Sequence, residues 1–511
     1  MALTADAIQV GPWHNGVRYD IPVEEVGPQE CSDMQNVRIG TGGQASQRPG
    51  TDQYKDHTAV NSAATLTMAA QFNSDADTEH VFIVAGDKIF DFSSGTFTDR
   101  TGGLTVTAGD DNTFEWVDAN GTLVATNGVD TNAWKVSGAA NATALDDDSR
   151  FSVGKHIAWF DNRLWIGNVS GATFQLWFSD TADIETWGAT SFFNFGGIIQ
   201  GLVPTQNALT IHTSDGIFTL FPTGNASLPY SPQRATFRAG IDGRSIIALP
   251  DDLQLMILED GVYEWRGGST LSKVSGALDG GYWPKLERTR LKKAFAEWFP
   301  RENEIWFFVP FTGDGAAQTN MDEIIVYNYQ KRTTINGRDV GTWHGPYSGF
   351  ERNCAALIDE KVHAGNFAGF LFDHDTNDMS DDGANISASF TTGAPAPIGP
   401  DVRVRWLNAR HFFDATGDYE MDVFQESVEI VGTQEKLDLN GVGFILDVDL
   451  LDVTNLRGVE QQSMDLPLQD YAPECSLRYE LGVAGQEFTI RRALMRHKPL
   501  GRFTKPKPVD V

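Results

Sequence analysis

A loose repeat of short apolar segments runs from about residue 64 to residue 390 and limits the folds open to this chain. Each unit holds apolar, strand-like runs around a turn, followed by a polar stretch that often contains Trp, Gly or Asp. The units recur at roughly 40–55 residues, which is about the length of a four-stranded propeller blade. The first runs of the units lie at 66–72, 114–116, 156–160, 199–203, 245–249, 294–299 and 354–358.

The repeat predicts an all-β fold whose main part, 61–392, is a β-propeller of about six to eight blades, with seven as the best estimate. Stacking blades around an axis buries the sheet faces that a single unit leaves exposed. The segments 85–87, 214–216 and 259–261 have the residue types of tight hairpin loops. With 51 Gly and 11% aromatic residues, the composition suits many short strands and tight turns. A pair of ordinary β-sandwiches is the alternative.

The segments on either side of the repeat have a different character. Residues 1–60 are irregular and rich in Gly, Pro and polar residues, and we expect them to close part of the propeller ring. Residues 393–400 contain three prolines and predict a linker. The alternating runs that follow predict a separate C-terminal β-sandwich over 400–495. Within the repeat, 286–299 fits either an amphipathic helix or the first strand of a hairpin around Pro300, and the strongly strand-like run after it favours the hairpin.

The C-terminus is basic, although the chain as a whole is acidic. The last 21 residues hold seven Lys or Arg and one acid, and 496–511 predicts an extended basic arm. Such an arm either contacts a partner or is a solvated tail. The candidate partner-contact residues are Arg491, Arg492, Arg496, Lys498, Arg502, Lys505 and Lys507.

The overall charge excludes some classes of protein. The 69 acidic and 39 basic residues give a net charge of −30, which argues against a non-specific phosphate binder because such proteins need a basic face. The sequence contains no stretch of about 18 apolar residues, so it predicts no membrane span. The first residues lack the basic and apolar regions of a signal peptide. The three cysteines are far apart, so a reducing compartment is the simpler expectation.

A search for chemical motifs gives no catalytic, cofactor-binding or metal site. The sequence contains no P-loop, no His-Glu-x-x-His and no Gly-x-Ser-x-Gly, and residues 40–43 lack the context of a dinucleotide loop. Residues 373–378 space Asp373 and Asp375 as a calcium loop does, but the following Gly and the distant Glu are missing. A solvated turn is the favoured interpretation there, as it is for 146–148. We therefore expect a protein that is not an enzyme.

Residues 181–187 resemble the Asp-box turn of sialidase propellers without its Gly. That turn is structural, so it favours a propeller without implying catalysis, and no cluster of arginines suggests a sialidase site. A glycan-binding or glycan-cleaving propeller, a host-receptor module, is the alternative function. In that alternative, exposed Trp187 or Trp343 would stack on sugar rings. A cellular scaffold propeller is a third possibility.

The opening segment leads to an Asn-Val at 36–37 and then to an Arg-Pro-Gly at 48–50. With the motifs at 176–187, 214–218, 306–310, 326–329, 341–343 and 488–494, this resembles the tail nozzle or hub proteins of short-tailed phages, also called packaged-DNA stabilisation proteins. The resemblance spans nearly the whole chain, but each motif is short, and no family functional residue can be transferred to a position here.

The resemblance implies a structural virion protein of the tail, made in the host cytoplasm. It implies a homo-oligomeric ring, usually of six copies, below the portal and adaptor, with tail fibre or spike proteins as further partners. Such a ring extends the DNA channel, retains the packaged genome and opens for ejection. Six copies would carry roughly −180, which would keep double-stranded DNA from adhering to the wall; the alternative is that the acidity serves only solubility. The loops 276–285 and 312–320 are candidate gates because of their length and Gly content.

Overall fold

The computed structural model describes residues 6–499, except for 75–78, 93–94, 146–152, 226–227, 313–319, 336, 377, 400–401, 415, 417–419, 428–433, 440–460, 469–470 and 483–485. The chain divides into two compact units. We call them the propeller unit, Thr51–Tyr329 with Ser348–Thr376, and the sandwich unit, Met1–Gly50 with Gln330–Tyr347 and Asn377–Val511. The described part contains no α-helix. Its short 3-10 helices are Val23–Glu25, Tyr54–Asp56, Gly243–Ser245, Ser275–Leu278, Trp283–Lys285, Leu291–Lys293 and Pro300–Glu302.

Five short strands precede the repeat, and the repeat itself begins with five successive four-stranded antiparallel sheets. The early strands are β1 (Asp6–Val10), β2 (Cys31–Gln35), β3 (Val37–Ile39), β4 (Ala45–Gln47) and β5 (Thr51–Gln53). The first sheet consists of β6 (Leu66–Asn73), β7 (Glu79–Ala85), β8 (Lys88–Phe92) and β9 (Phe97–Asp99), and the second of β10 (Glu115–Asp118), β11 (Leu123–Thr126), β12 (Trp134–Val136) and β13 (Thr143–Ala144). The third consists of β14 (His156–Phe160), β15 (Arg163–Val169), β16 (Ala172–Phe178) and β17 (Phe192–Asn194), and the fourth of β18 (Ile199–Pro204), β19 (Leu209–Thr213), β20 (Gly216–Asn225) and β21 (Leu228–Arg234). The fifth consists of β22 (Ile246–Ala248), β23 (Gln254–Leu258), β24 (Gly261–Trp265) and β25 (Ser272–Lys273).

Two more sheets complete the propeller unit. The strands in this part of the chain are β26 (Phe295–Phe299), β27 (Glu304–Val309), β28 (Glu323–Ile335), β29 (Arg338–Tyr347), β30 (Cys354–Ile358), β31 (Lys361–Gly365) and β32 (Leu371–His374). The sixth sheet places β26, β27 and β28 side by side, and the seventh places β30, β31 and β32 beside β5. Strand β5 pairs antiparallel with β32, so a strand from the N-terminal side of the repeat completes the last blade.

The seven sheets form a closed ring. The first strands of successive blades, β6, β10, β14, β18, β22, β26 and β30, contact one another in order, and β30 returns to β6. Sheet faces pack against the next blade; for example, Leu66 and Ile83 of the first blade share a buried cluster with Ala356 and Leu371 of the last. These alternating apolar residues remove both faces of each sheet from water, which stabilises the ring. The predicted propeller, with seven blades as its best estimate, is confirmed.

The predicted turns and the predicted hairpin also have the expected form. The loops within 85–87, 214–216 and 259–261 join β7 to β8, β19 to β20 and β23 to β24 with two residues each. Of the two interpretations of 286–299, the hairpin is correct: β26 and β27 pair antiparallel around Pro300–Glu302, and Asn303 takes the left-handed conformation that the turn needs.

Two sheets of the described residues lie wholly within the sandwich unit. Its remaining strands are β33 (Ser380–Asp381), β34 (Ala384–Asn385), β35 (Ala388–Thr392), β36 (Val404–Asp414), β37 (Glu420–Glu426), β38 (Gln434–Asp438), β39 (Gln461–Pro467), β40 (Tyr471–Ala472), β41 (Ser476–Leu481) and β42 (Thr489–Pro499). One sheet has the order β3-β4-β42-β36-β39, with β1 also on β42 and β40 also on β36; the other has the order β2-β35-β41-β37-β38. Tyr479 Oη of the second sheet lies 2.9 Å from His411 Nδ1 of the first, and the Tyr479 ring stacks on Phe390, its cross-strand neighbour in the same sheet.

The division of the chain differs from the predicted boundaries of 1–60, 61–392, 400–495 and 496–511. Strands β1–β4 belong to the sandwich sheets, and only β5 from 1–60 joins the propeller sheets. The proline-rich segment 393–400 connects β35 to β36, which lie in opposite sheets of the sandwich, so it is a crossover within one unit and not a linker between two. The predicted arm also begins too early, because β42 extends to Pro499.

Candidate functional site

The first strands of the blades surround a cavity on the propeller axis. It has a volume of about 340 Å³ and is lined by residues from all seven of these strands. Residues just before or at the start of several strands contact one another, so these strands begin at the same end of the channel, which we call the mouth.

Charged side chains from three blades meet at the mouth. His156 Nδ1, at the start of β14, lies 2.8 Å from Glu115 Oε1, at the start of β10. Lys155 Nζ lies 2.6 Å from Asp242 Oδ2, just before β22. Burial acts to raise the pKa of Asp242, but the positive charges of Lys155 and Arg244 outweigh it and hold that pKa below its usual value. The mouth therefore holds a partly buried, charge-paired network.

Residues 242–245 extend across the mouth from the fifth blade. Arg244 donates to the backbone carbonyls of Lys293 at 3.0 Å and Asn353 at 3.3 Å, which precede the sixth and seventh blades. A Cβ on Gly243 would lie 2.5 Å from Glu115 Oε1 and 3.0 Å from His156 Nδ1, so a side chain at this position would displace the Glu115 carboxylate. Hydrogen bonds and an ion pair from this segment therefore link the fifth blade to the third, sixth and seventh blades at this end.

Glu297 on β26 lines the cavity below the mouth. Burial raises the pKa of its carboxyl to about 7, although the backbone N–H of Trp298 opposes this. No charged group contributes to that shift. The sequence does not single out Glu297, because one Glu in an apolar run forms no motif.

A second, more polar pocket of about 410 Å³ lies among residues that precede the second, sixth and seventh blades. Lys293 Nζ donates to the Asp111 carbonyl at 2.9 Å, and Arg290 Nη1 pairs with the Asp111 carboxylate at 3.1 Å. Burial lowers the pKa of Lys293. The charged groups of this pocket are largely paired with one another.

The predicted basic partner-contact residues lie in the sandwich unit or outside the described residues. Arg491, Arg492, Arg496 and Lys498 are on β42, whereas Arg502, Lys505 and Lys507 lie outside the described residues. Arg491 pairs with Asp414 at 2.6 Å, and Arg492 lies over the Phe412 ring. Arg491, Arg492, Arg496 and Lys498 therefore belong to a sheet and not to an extended arm.

The two tryptophans considered for sugar stacking are buried, so that expectation is wrong for both. Trp187 is 5% exposed and Trp343 is 1% exposed. Trp187 belongs to the Asp-box-like turn, where Asp183 accepts hydrogen bonds from the Glu185 N–H and the Thr186 hydroxyl. A side chain that packs in the core cannot present its face to a ligand.

The calcium-like turn is also occupied by internal contacts. Asp373 Oδ1 lies 2.5 Å from His363 Nε2, and Asp375 takes a left-handed conformation. Among the described residues, no group of three His, Cys, Asp or Glu could hold a metal ion. The segment 146–148 lies outside the described residues.

The structure describes the whole of one candidate gate loop, 276–285, and only the two ends of the other, 312–320. Within 276–285, Leu278, Tyr282 and Trp283 are buried, and Tyr282 Oη donates to Glu323 Oε2 at 2.7 Å, so this segment is packed and not a free loop. Most of 312–320 lies outside the described residues. In the part of the chain that is described, no helix is long and apolar enough to span a membrane.

Fold and channel together define a seven-bladed β-propeller joined to a β-sandwich. Solved structures similar to this chain include virginiamycin B lyase from Staphylococcus aureus, at 12% identity and a TM-score of 0.42, covering 64% of this chain and 99% of the lyase. BamB from Moraxella catarrhalis matches at 10% identity and a TM-score of 0.39, covering 65% and 98%. The computationally designed Ika8 protein matches at 12% identity and a TM-score of 0.37, covering 62% and 98%. One of these is an enzyme, but at this identity the likeness concerns the fold alone.

No family model matches this chain, and no curated protein matches it.

Proposed function

We propose that this protein is a structural subunit of a short phage tail. In this proposal, six copies form a ring below the portal and adaptor, extend the DNA channel, retain the packaged genome and permit its ejection. The role requires no catalysis. The portal or adaptor and the tail fibre or spike proteins are the neighbours, and double-stranded DNA passes without specific binding.

The observation that carries the proposal is that the motif residues behind the resemblance meet in space. Arg48 is 2% exposed, and its Nε donates to Asn36 Oδ1 at 2.9 Å. Its guanidinium also holds both oxygens of Asp381, at 2.9 and 2.5 Å. Asn36 Nδ2 in turn donates to the Ser387 carbonyl at 2.8 Å. A bidentate pair of this kind is geometrically specific, so Asn36 and Arg48 together fix the local arrangement of the chain.

Gly50 extends the same arrangement. Its N–H donates to the Asp378 carbonyl at 2.7 Å, and a Cβ on it would lie 2.0 Å from the Ser380 carbonyl oxygen. The Arg-Pro-Gly segment thus fixes the chain directly before β5, the strand that completes the last blade. The short motifs at 36–37 and 48–50 therefore share one structural role. This favours a common fold with the tail proteins that they resemble.

The charge of the chain supports the same proposal. A net charge of −30 per copy suits a wall past which DNA must move, because like charge opposes adhesion.

Antibody labelling of intact particles tests the proposal. Antibodies raised against the purified chain, carried on gold, should label one short tail tip in electron micrographs. Antibody absorbed beforehand with the purified chain is the control and should leave the tails unlabelled. Label spread along fibres, or the protein found only free in the lysate, would contradict the proposal and make glycan binding the next assay.

A further inference from the structure

The axial cavity of the propeller contains a carboxylate without a counter-ion. Glu297 lines the cavity, and no described Lys, Arg or His lies within ion-pair distance of it. Its carboxyl is stabilised only by the backbone N–H of Trp298 among the described residues. Burying a carboxylate without a counter-ion costs free energy. A cationic ligand that pairs with Glu297 would offset this cost and therefore interact strongly with it.

The other ionisable groups on the cavity wall are already committed. Glu115 pairs with His156, and Arg244 donates to two backbone carbonyls while its guanidinium lies 5.4 Å from the centre of the Phe295 ring. Burial raises the pKa of the Cys354 thiol to about 12, so it stays neutral. None of these groups neutralises Glu297, because no charged group perturbs its carboxyl.

The rest of the wall is mainly apolar. Met68, Phe114, Ile157, Leu202 and Phe295 line the cavity, and its volume of about 340 Å³ lies within the range of small-molecule sites. Aromatic side chains beside a carboxylate that has no charged partner among the described residues fit a cation that carries an apolar body, since the rings add cation–π attraction and remove apolar surface from water.

We propose that this cavity binds a small organic cation, an ammonium group on a short apolar body, with the Glu297 carboxylate as its counter-ion. The strong negative charge of the chain raises the local concentration of cations and so favours their entry over that of anions. The site is independent of the tail role proposed above and would exist in a single copy of the chain.

The test compares two probes of the same shape that differ in charge, benzylamine and benzyl alcohol. The full chain, carrying ¹³C-methyl methionine, is titrated with each at pH 8 and followed by NMR. Met68 lies on the cavity wall, and Met495 is buried in the sandwich unit and serves as the internal reference. We expect benzylamine to shift the Met68 signal in a saturable way, to leave Met495 unchanged, and to bind at least about tenfold more tightly than the alcohol, the factor a charge-assisted hydrogen bond supplies.

Two variants locate the charge that is recognised. Glu297→Gln keeps the shape of the side chain and removes its charge, so benzylamine affinity should fall by about tenfold or more. Glu360→Gln, in the exposed turn between β30 and β31, makes the same change of net charge and should leave the affinity unaltered. If Glu297→Gln does not fold, the comparison of amine with alcohol on the unaltered chain decides alone.

Equal binding of both probes would overturn the proposal, because the cavity would then recognise only the apolar body. The absence of saturable binding of benzylamine up to about 10 mM would overturn it as well, since the site would have no useful affinity for a cation. Binding that shifts Met495 but not Met68 would place the probe elsewhere and have the same consequence.

Discussion

Replacing Glu297 by Gln should make the protein more stable at neutral and alkaline pH. Burial raises the pKa of this carboxyl from 4.5 to about 7, so the folded protein keeps a proton that the unfolded chain releases at lower pH. The stabilising effect of that proton is complete below pH 4.5 and is lost as the pH rises through 7. Each pKa unit corresponds to about 1.4 kcal/mol, so ionised Glu297 costs the folded state about 3 kcal/mol.

Urea denaturation from pH 5.5 to 8.5, followed by tryptophan fluorescence, measures this effect. The series starts at pH 5.5 because a protein precipitates readily near its isoelectric point, where its net charge is close to zero. For this chain the isoelectric point is about 4.6. The free energy of unfolding of Glu297→Gln should exceed that of the unaltered protein by about 2 kcal/mol more at pH 8.5 than at pH 5.5. Glu115, Arg244 and His156 are present in both proteins, so their titration cancels in the difference. The control Glu360→Gln should give a difference that does not change with pH. A flat difference for Glu297→Gln would refute the reasoning, because the carboxyl would then be as well solvated as in the unfolded chain.

Three further predictions concern the motif residues and the tryptophan. Replacing Arg48 by Met removes the buried guanidinium that pairs with the half-buried Asp381 carboxylate at 2.5 Å and should lower the free energy of unfolding by about 1–3 kcal/mol, measured by urea denaturation. Gly50→Ala puts a Cβ 2.0 Å from the Ser380 carbonyl oxygen and should lower the melting temperature of the protein in calorimetry, whereas Gly103→Ala, where a Cβ meets nothing within 4 Å, should lower it less. Trp187→Ala should destabilise the protein by about 3–5 kcal/mol in urea, because this side chain is in the core; a change in glycan binding without a change in stability would contradict its burial.

The sequence predicted the propeller well because each blade is a local unit. Successive strands pair through short loops, so the apolar runs and the turn residues of one blade lie close together in the chain. The runs at 156–160 and 354–358 coincide with β14 and β30. Local periodicity is sufficient to recognise a fold whose strands are mostly sequential neighbours.

The sandwich and the axial site depend on contacts that local patterns do not record. Strand β1 pairs with β42, with Asp6 opposite His497. No feature of residues 1–60 specifies a partner so far along the chain, so the sequence predicts an irregular segment where these strands lie. In the same way, Gly243, Glu297 and Glu115 come from different blades and line one cavity only in the closed ring. Burial of Trp187 and Trp343 likewise follows from tertiary packing, which side-chain type alone does not determine.

The central claim is that this protein forms a ring in a phage tail, and image averaging of the tail in intact particles tests it most directly. We expect a six-fold end view of the tail tip, in which each of six equal densities contains a seven-spoked propeller and a sandwich. A tail tip without such a ring, or propeller density found only on peripheral fibres, would contradict it.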